Sequence, residues 1–429
     1  MVRKLTAAAL ATLVVSCAPE TQNPVKVRAL VLSGNGEYVP TEVELQTVTD
    51  IVALEGQVAK MRGGARVVLD SNDPEANAAK TEEAFLRALL KEEGQPVTAH
   101  YITDEQGVLW PADFHTWNLV TTYYNLERAW DYFNKVVDVK QAELPQMTAY
   151  YFPEFIIADT SDKPMRDNAI FFAPTQSFMV LPFETITKAP LAINASVLTH
   201  EYAHMVFNRR VYNGRSLPDP ITAWSLSGGI YTPALNVIKS LDEGLADYHA
   251  YVASCRSTFG CNKRVLYTSF EDKSESDRDL SKTTCMSREL RELLETANFN
   301  SVFSGHEYQV GTILASALVN AEQSAADREM LAREVAAAYS DTNPSKPGFN
   351  QLAQAALTDQ TKFTLARAAR AIIRHISDFN LKQRVCSQFA TRLQIPVEDL
   401  TGVSTGDATS DDCPASTTTL VGVCESINP

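Results

Sequence analysis

Apolar and polar positions are arranged in two different ways along the chain. Before about residue 240 short runs dominate: residues 27–32 and 65–69 have the β-branched, apolar content of strands, and 155–158, 169–173 and 177–183 are strand-like too. Two helices interrupt them. Residues 82–91 (EEAFLRALLK) put their apolar side chains on one face, and 118–137 has helical spacing thick with Tyr, Trp and Phe, which predicts a helix buried by packing. After residue 240 long Ala- and Leu-rich helical patterns take over, at 241–254, 286–297, 307–321, 327–339 and 362–376. The pattern predicts an α+β chain without internal repeats, mixed in its first half and mainly helical in its second. From Thr401 onward Ser, Thr, Asp and Gly prevail, and little is left to pack.

Composition narrows this picture. The 429 residues are 45% hydrophobic and 21% charged, the proportions of a globular protein. Asp and Glu (52) outnumber Lys and Arg (38), for a formal net charge of -14, and no basic patch stands out; binding a phosphate backbone needs the opposite balance, so no nucleic-acid partner is expected.

The amino terminus predicts the compartment. Arg3 and Lys4 precede an apolar run over residues 5–15, too short to span a bilayer but right for an export signal. The run closes on Val14-Val15-Ser16-Cys17, which resembles the bacterial lipobox and implies a lipid on Cys17 with cleavage just before it. Ala18, standing where an Asp would resemble an inner-membrane retention signal, favours the outer membrane. The expected location is therefore the bacterial cell envelope, with lipid as the membrane link. Six further cysteines agree with an oxidising compartment; Cys255 with Cys261 and Cys413 with Cys424 could each close a small loop, with other connectivities open. The expected organisation is a signal peptide (1–17), a polar tether (18–24), a mixed α/β region (25–110), a catalytic lobe (111–239), a helical lobe (240–400) and a tail (401–429).

The chemistry concentrates in one motif. Thr199-His200-Glu201-Tyr202-Ala203-His204 contains H-E-x-x-H inside a stretch, 195–208, that reads as a helix. Residues four apart on a helix diverge by only about 40°, so both imidazoles can reach one Zn²⁺. Glu201 is then aimed beside the metal, where it can take a proton from water that the metal has acidified. Zinc needs a third protein ligand. The metzincin continuation would place Gly and His where this chain has Phe207 and Arg210, which excludes that class.

Downstream, Leu241-Asp242-Glu243-Gly244-Leu245-Ala246-Asp247 sets Glu243 and Asp247 on one helical face. This resembles the gluzincins, the thermolysin-like clan, whose second motif has the form E-x-x-x-D. The resemblance implies that Glu243 is the third zinc ligand and that Asp247 hydrogen-bonds a ligating histidine, while Asp242 and His249 are expected as surface groups. Asp167-Asn168-Ala169-Ile170-Phe171-Phe172 is similar to the family's edge strand, so Asn168 and Ala169 are expected to hold substrate backbone. The aromatic helix around Tyr123 and Tyr124 is similar to the helix preceding that strand. In Gly305-His306-Glu307-Tyr308-Gln309-Val310-Gly311, Tyr308 with Gly311 resembles the Y-x-x-G of one branch and His306 the histidine of another; either would stabilise the oxyanion, with Tyr308 slightly favoured.

The resemblance covers roughly residues 115–320 and implies a two-lobed zincin-like metalloprotease fold, with an extra amino-terminal α/β region, that hydrolyses peptide or protein substrates, most simply as an endopeptidase. Two departures matter. Residues 205–242 separate the motifs, longer than in familiar members, and 224–231 (WSLSGGIY) in that insert would form a rim over the cleft. The G-x-M-E-N motif of the aminopeptidase branch is absent. Gly402-Val403-Ser404-Thr405-Gly406 fits the serine-hydrolase elbow, but the last histidine, His375, precedes it, whereas that triad needs a later one. The alternative to an enzyme is a lipid-anchored envelope binding or assembly protein that keeps the zincin fold with little turnover; Glu201 speaks against it.

Overall fold

The first alternating run folds as Val25–Leu32, with Val27 and Ala29 fully buried, and pairs antiparallel with Tyr38–Leu45. Leu109–Pro111 and Tyr101–Thr103 complete a four-stranded sheet. An eight-stranded sheet is built on Ala59–Leu69, twice the strand expected. Gly63 and Gly64 had hidden its first half by interrupting the alternation; Gly64 has φ 72°, so the chain bends there and continues. Met147–Tyr151 pairs parallel with the first half and Glu154–Ile157 with the second, so strands from either side of residue 110 share one sheet. Leu90–Pro96 pairs antiparallel with the same long strand, although its Glu- and Gly-containing sequence has no strand signature: the helix expected to run to Lys91 stops at Leu89 because pairing outweighs propensity. At the far end the order runs from Met147–Tyr151 through Ser177–Val180 to Ala169–Phe172, the last strand of the sheet.

These features come from a computed structural model, which describes residues 24–427 apart from 159–160, 162, 184–189, 214–231, 258, 266–277, 297–305 and 342–345. Cys17 and the expected rim at 224–231 lie outside the described residues. Among those described, no helix is long and apolar enough to cross a membrane.

Four helices frame the site. Phe114–Lys135 is capped by Asp113, whose side chain accepts from Thr116 N, and buries Tyr123, Tyr132 and Phe133. Ala195–Tyr212 starts at Asn194, whose side chain accepts from Ser196 N and Val197 N, and ends at Asn213 in the left-handed region. Pro233–Ser254 begins eight residues before the position expected: Thr232 caps it and Pro233 fills its first turn, a start signal that precedes the obvious apolar pattern. His306–Ala321 crosses it so closely that a Cβ on Gly244 would sit 2.4 Å from Gly311 O, and one on Gly311 2.7 Å from Gly244 N. Only glycine at both positions permits that backbone contact.

The fold is α+β, and one main apolar core runs from Val27 to Cys413. The tail is less loose than its composition suggests. Cys285 bonds Cys424 and Cys386 bonds Cys413, which corrects the expected Cys413–Cys424 pair; Cys255–Cys261 is as expected. The partner of Cys413 lies on Phe379–Arg392, an amphipathic helix the sequence reading missed. Asp412, 3% exposed, accepts from Arg370 and Arg374 and so anchors the tail as well.

Candidate metal centre

The helix Ala195–Tyr212 is buried over most of its circumference, so its polar side chains have to be satisfied within the protein. His200 Nε2 and His204 Nε2 face one another at 2.9 Å. Glu243, carried by Pro233–Ser254, brings Oε2 to 3.3 Å from His200 Nε2 and 3.6 Å from His204 Nε2. A tetrahedral site with bonds of 2.0–2.1 Å has edges of about 3.3 Å, close to all three separations. Glu243 Oε2 is buried with no hydrogen-bond partner. The residues fit a cation: His200, His204 and Glu243 could hold a metal ion.

The outer ring nitrogens are held as well. His200 Nδ1 lies 2.9 Å from Asp247 Oδ1, the placement expected for Asp247. His204 Nδ1 lies 2.7 Å from Asp242 Oδ1. Asp242 is therefore not the surface group anticipated, and at 8% exposure it is buried against the site. His249 is corrected too: fully buried, it bonds Tyr132 Oη at 2.8 Å and Tyr339 Oη at 3.1 Å. The reason is shared. Pro233–Ser254 is packed on nearly all sides, so it has no solvated face to take the residues that fall off the Glu243–Asp247 stripe.

Glu201, 8% exposed, accepts from Phe171 N at 2.6 Å through Oε2. Phe171 belongs to the terminal strand Ala169–Phe172, so the strand that begins at Ala169 passes directly beside this carboxylate. Asn168 precedes it, its side chain turned back to accept from Ala169 N. Burial raises the pKa of Glu201 above the ordinary carboxylate range. For His204 burial works downward, but the carboxylates of Asp242 and Glu243 outweigh it and hold the imidazole well above its usual value.

Arg278 is the residue that sequence reasoning missed. Its Nε and Nη2 donate to Asp247 at 3.1 and 2.5 Å, Nη2 stands 3.6 Å from Glu243 Oε2, and its guanidinium lies 5.0 Å from the centre of the Tyr308 ring. It sits in a run of charged residues that reads as solvated, and no spacing rule links it to His200. Tyr308 is 37% exposed, and the negative charge of Glu243, with burial, keeps its phenol protonated beyond the usual range. His306 begins the same helix; two residues apart on a helix diverge by about 200°, so the two side chains leave opposite faces. The 402–406 segment forms turns after the short helix Val397–Leu400 and has no strand before it. No protein-family model and no curated protein matches the chain.

Proposed function

We propose that the protein is a zinc metallopeptidase of gluzincin type with a two-lobed zincin fold, lipid-anchored through Cys17 in a bacterial envelope with the outer membrane favoured, and that it cuts within peptide chains. The observation that carries this reading is the triangle of His200 Nε2, His204 Nε2 and Glu243 Oε2, with edges of 2.9, 3.3 and 3.6 Å, with Glu201 one residue from His200 and bonded to a terminal strand. Zn²⁺ suits this nitrogen and oxygen donor set and, when bound, supplies Lewis acidity that lowers the pKa of water and polarises a carbonyl.

The chain's own groups do the rest. Asp247 and Asp242 fix the His200 and His204 rings through Nδ1, which turns both Nε2 atoms toward Glu243; Arg278 Nη2, 3.2 Å from His200 Nε2, is the group a bound cation would displace there. Glu201 takes the proton of the attacking water and passes it to the leaving amine; Phe171 N–H holds its Oε2 while it does so. Tyr308 Oη is the donor for the negative charge that develops on the carbonyl oxygen, and the Arg278 guanidinium packs over its ring while Nε and Nη2 hold Asp247. Ala169–Phe172, last in its sheet, offers backbone to an extended peptide, with Asn168 and Ala169 at its start. Such a strand grips the substrate on both sides of the scissile bond and needs no terminal charge.

The test is Glu201→Gln. It should keep about one zinc per chain while cleavage of peptides blocked at both ends falls by several orders of magnitude. Equal inactivity of wild type and variant across a broad peptide library, with equal binding of a partner, would replace the enzyme by a binding protein. Cleavage restricted to free amino termini would overturn the endopeptidase assignment alone.

A further inference from the structure

A second site lies behind the metal-bearing helix, and it does not depend on the peptidase reading. A cleft with a cavity volume of about 190 Å³ opens between the end of Val25–Leu32, the aromatic helix Phe114–Lys135, the first turn of Ala195–Tyr212, the end of Pro233–Ser254 and the loop closed by Cys255–Cys261. Its lining reaches Ser196 and Thr199, so it ends one residue short of His200.

Asn194 lines this cleft and is 2% exposed. Its Oδ1 accepts from Ser196 N at 2.9 Å and Val197 N at 3.2 Å, so the amide orientation is fixed: the oxygen has to face the helix. The other end, Nδ2, is buried and has no hydrogen-bond partner. A buried amide N–H left without an acceptor is unfavourable, and an acceptor supplied by a ligand removes that cost. The helix dipole adds partial positive charge at the same place, because Asn194 caps an 18-residue helix.

The charged groups of the lining favour an anion. Asp131 is paired with Lys135 and Arg256 with Glu329. Among the described residues Arg128 pairs with no carboxylate, and its guanidinium lies over the Tyr124 ring, 5.7 Å from the centre. Leu30, Leu32 and Phe259 give the cleft apolar walls. We infer that it binds an organic carboxylate with a compact apolar body, about the size of one or two amino-acid residues. The carboxylate meets Asn194 Nδ2, the helix N-terminus and Arg128, and the apolar body packs on the walls.

The probe is N-acetyl-leucine, compared with its uncharged amide, titrated calorimetrically into the full-length metal-loaded protein. The acid should bind at millimolar concentration or tighter, and the amide at least tenfold more weakly. Asn194→Asp keeps the helix cap but replaces the donor by a charged acceptor, and should abolish binding. Arg128→Gln, away from the cap, should weaken it about tenfold and leaves the test intact if the first variant fails to fold. His200→Ala should leave binding unchanged. No binding at 20 mM, equal binding of acid and amide, indifference to Arg128→Gln, or loss in His200→Ala, which would place the ligand at the metal centre, each overturns the proposal.

Discussion

Two buried charge clusters, one around Glu243 and one where the tail meets Arg370 and Arg374, show how differently the same residue types can be used. Around Asp412 the protein closes its own account. Arg370 and Arg374 each approach it with two nitrogens, Thr409 N adds a further bond, and Arg370 also reaches Asp407. Around Glu243 pairing stays incomplete. Arg278 donates to Asp247 and Asp242 lies against His204, but two imidazole nitrogens meet at 2.9 Å and the Oε2 of Glu243 lacks a hydrogen bond. Buried charge that is internally paired holds a fold together; buried charge left over is arranged for something that arrives.

The sharpest way to break that contrast is to remove a ligand from each. His204→Ala should lose its metal almost completely, by elemental analysis after zinc-replete purification, while the tail remains anchored; full retention would refute the metal centre. In the other cluster Asp412→Ala leaves two buried guanidinium groups facing each other, and urea unfolding should show a loss of about 3–5 kcal/mol with metal content unchanged. A loss of metal from that variant would mean the two clusters are not independent.

Smaller changes sharpen it. Asp247→Ala and Asp242→Ala should each weaken metal affinity by about ten- to a hundredfold, measured by competition with a chelator, because each fixes one imidazole. If only Asp247→Ala does so, the short contact between Asp242 and His204 is structural. The least effect concerns His249, two residues beyond Asp247 yet outside the site. Burial pushes its pKa down to about 3, so the folded protein keeps it neutral while the unfolded chain protonates it below about 6.5. Its contribution is complete above that value and is lost as pH falls towards 3, at about 1.4 kcal/mol per pH unit. Urea unfolding of the metal-free protein from pH 6.5 to 5 should therefore fall more steeply for wild type than for His249→Gln; equal slopes would show that His249 is solvated.

What the sequence determined by itself is what local spacing determines. His200, Glu201 and His204 are tied by one helical turn, and Glu243 and Asp247 by another, so each pair could be placed before either helix was placed relative to the other. The cap at Asn194 is short-range chemistry of the same kind, whereas the helix start at Thr232 preceded the expected one and the edge position of Ala169–Phe172 is set by the order of the sheet. Only the tertiary structure decided the rest. The Gly244–Gly311 contact brings Tyr308 and Glu243 together although 65 positions separate them, and Arg278 reaches Asp247 across 31. Asp242 and His249 read as solvated because a helix seen alone always has an outer face; here neighbours cover nearly every side, and burial turned one into the support of His204 and the other into a core hydrogen-bonding group. Cys413 found Cys386 rather than Cys424 for the same reason: its partner depends on which helix the tail crosses, and no spacing along the chain records that.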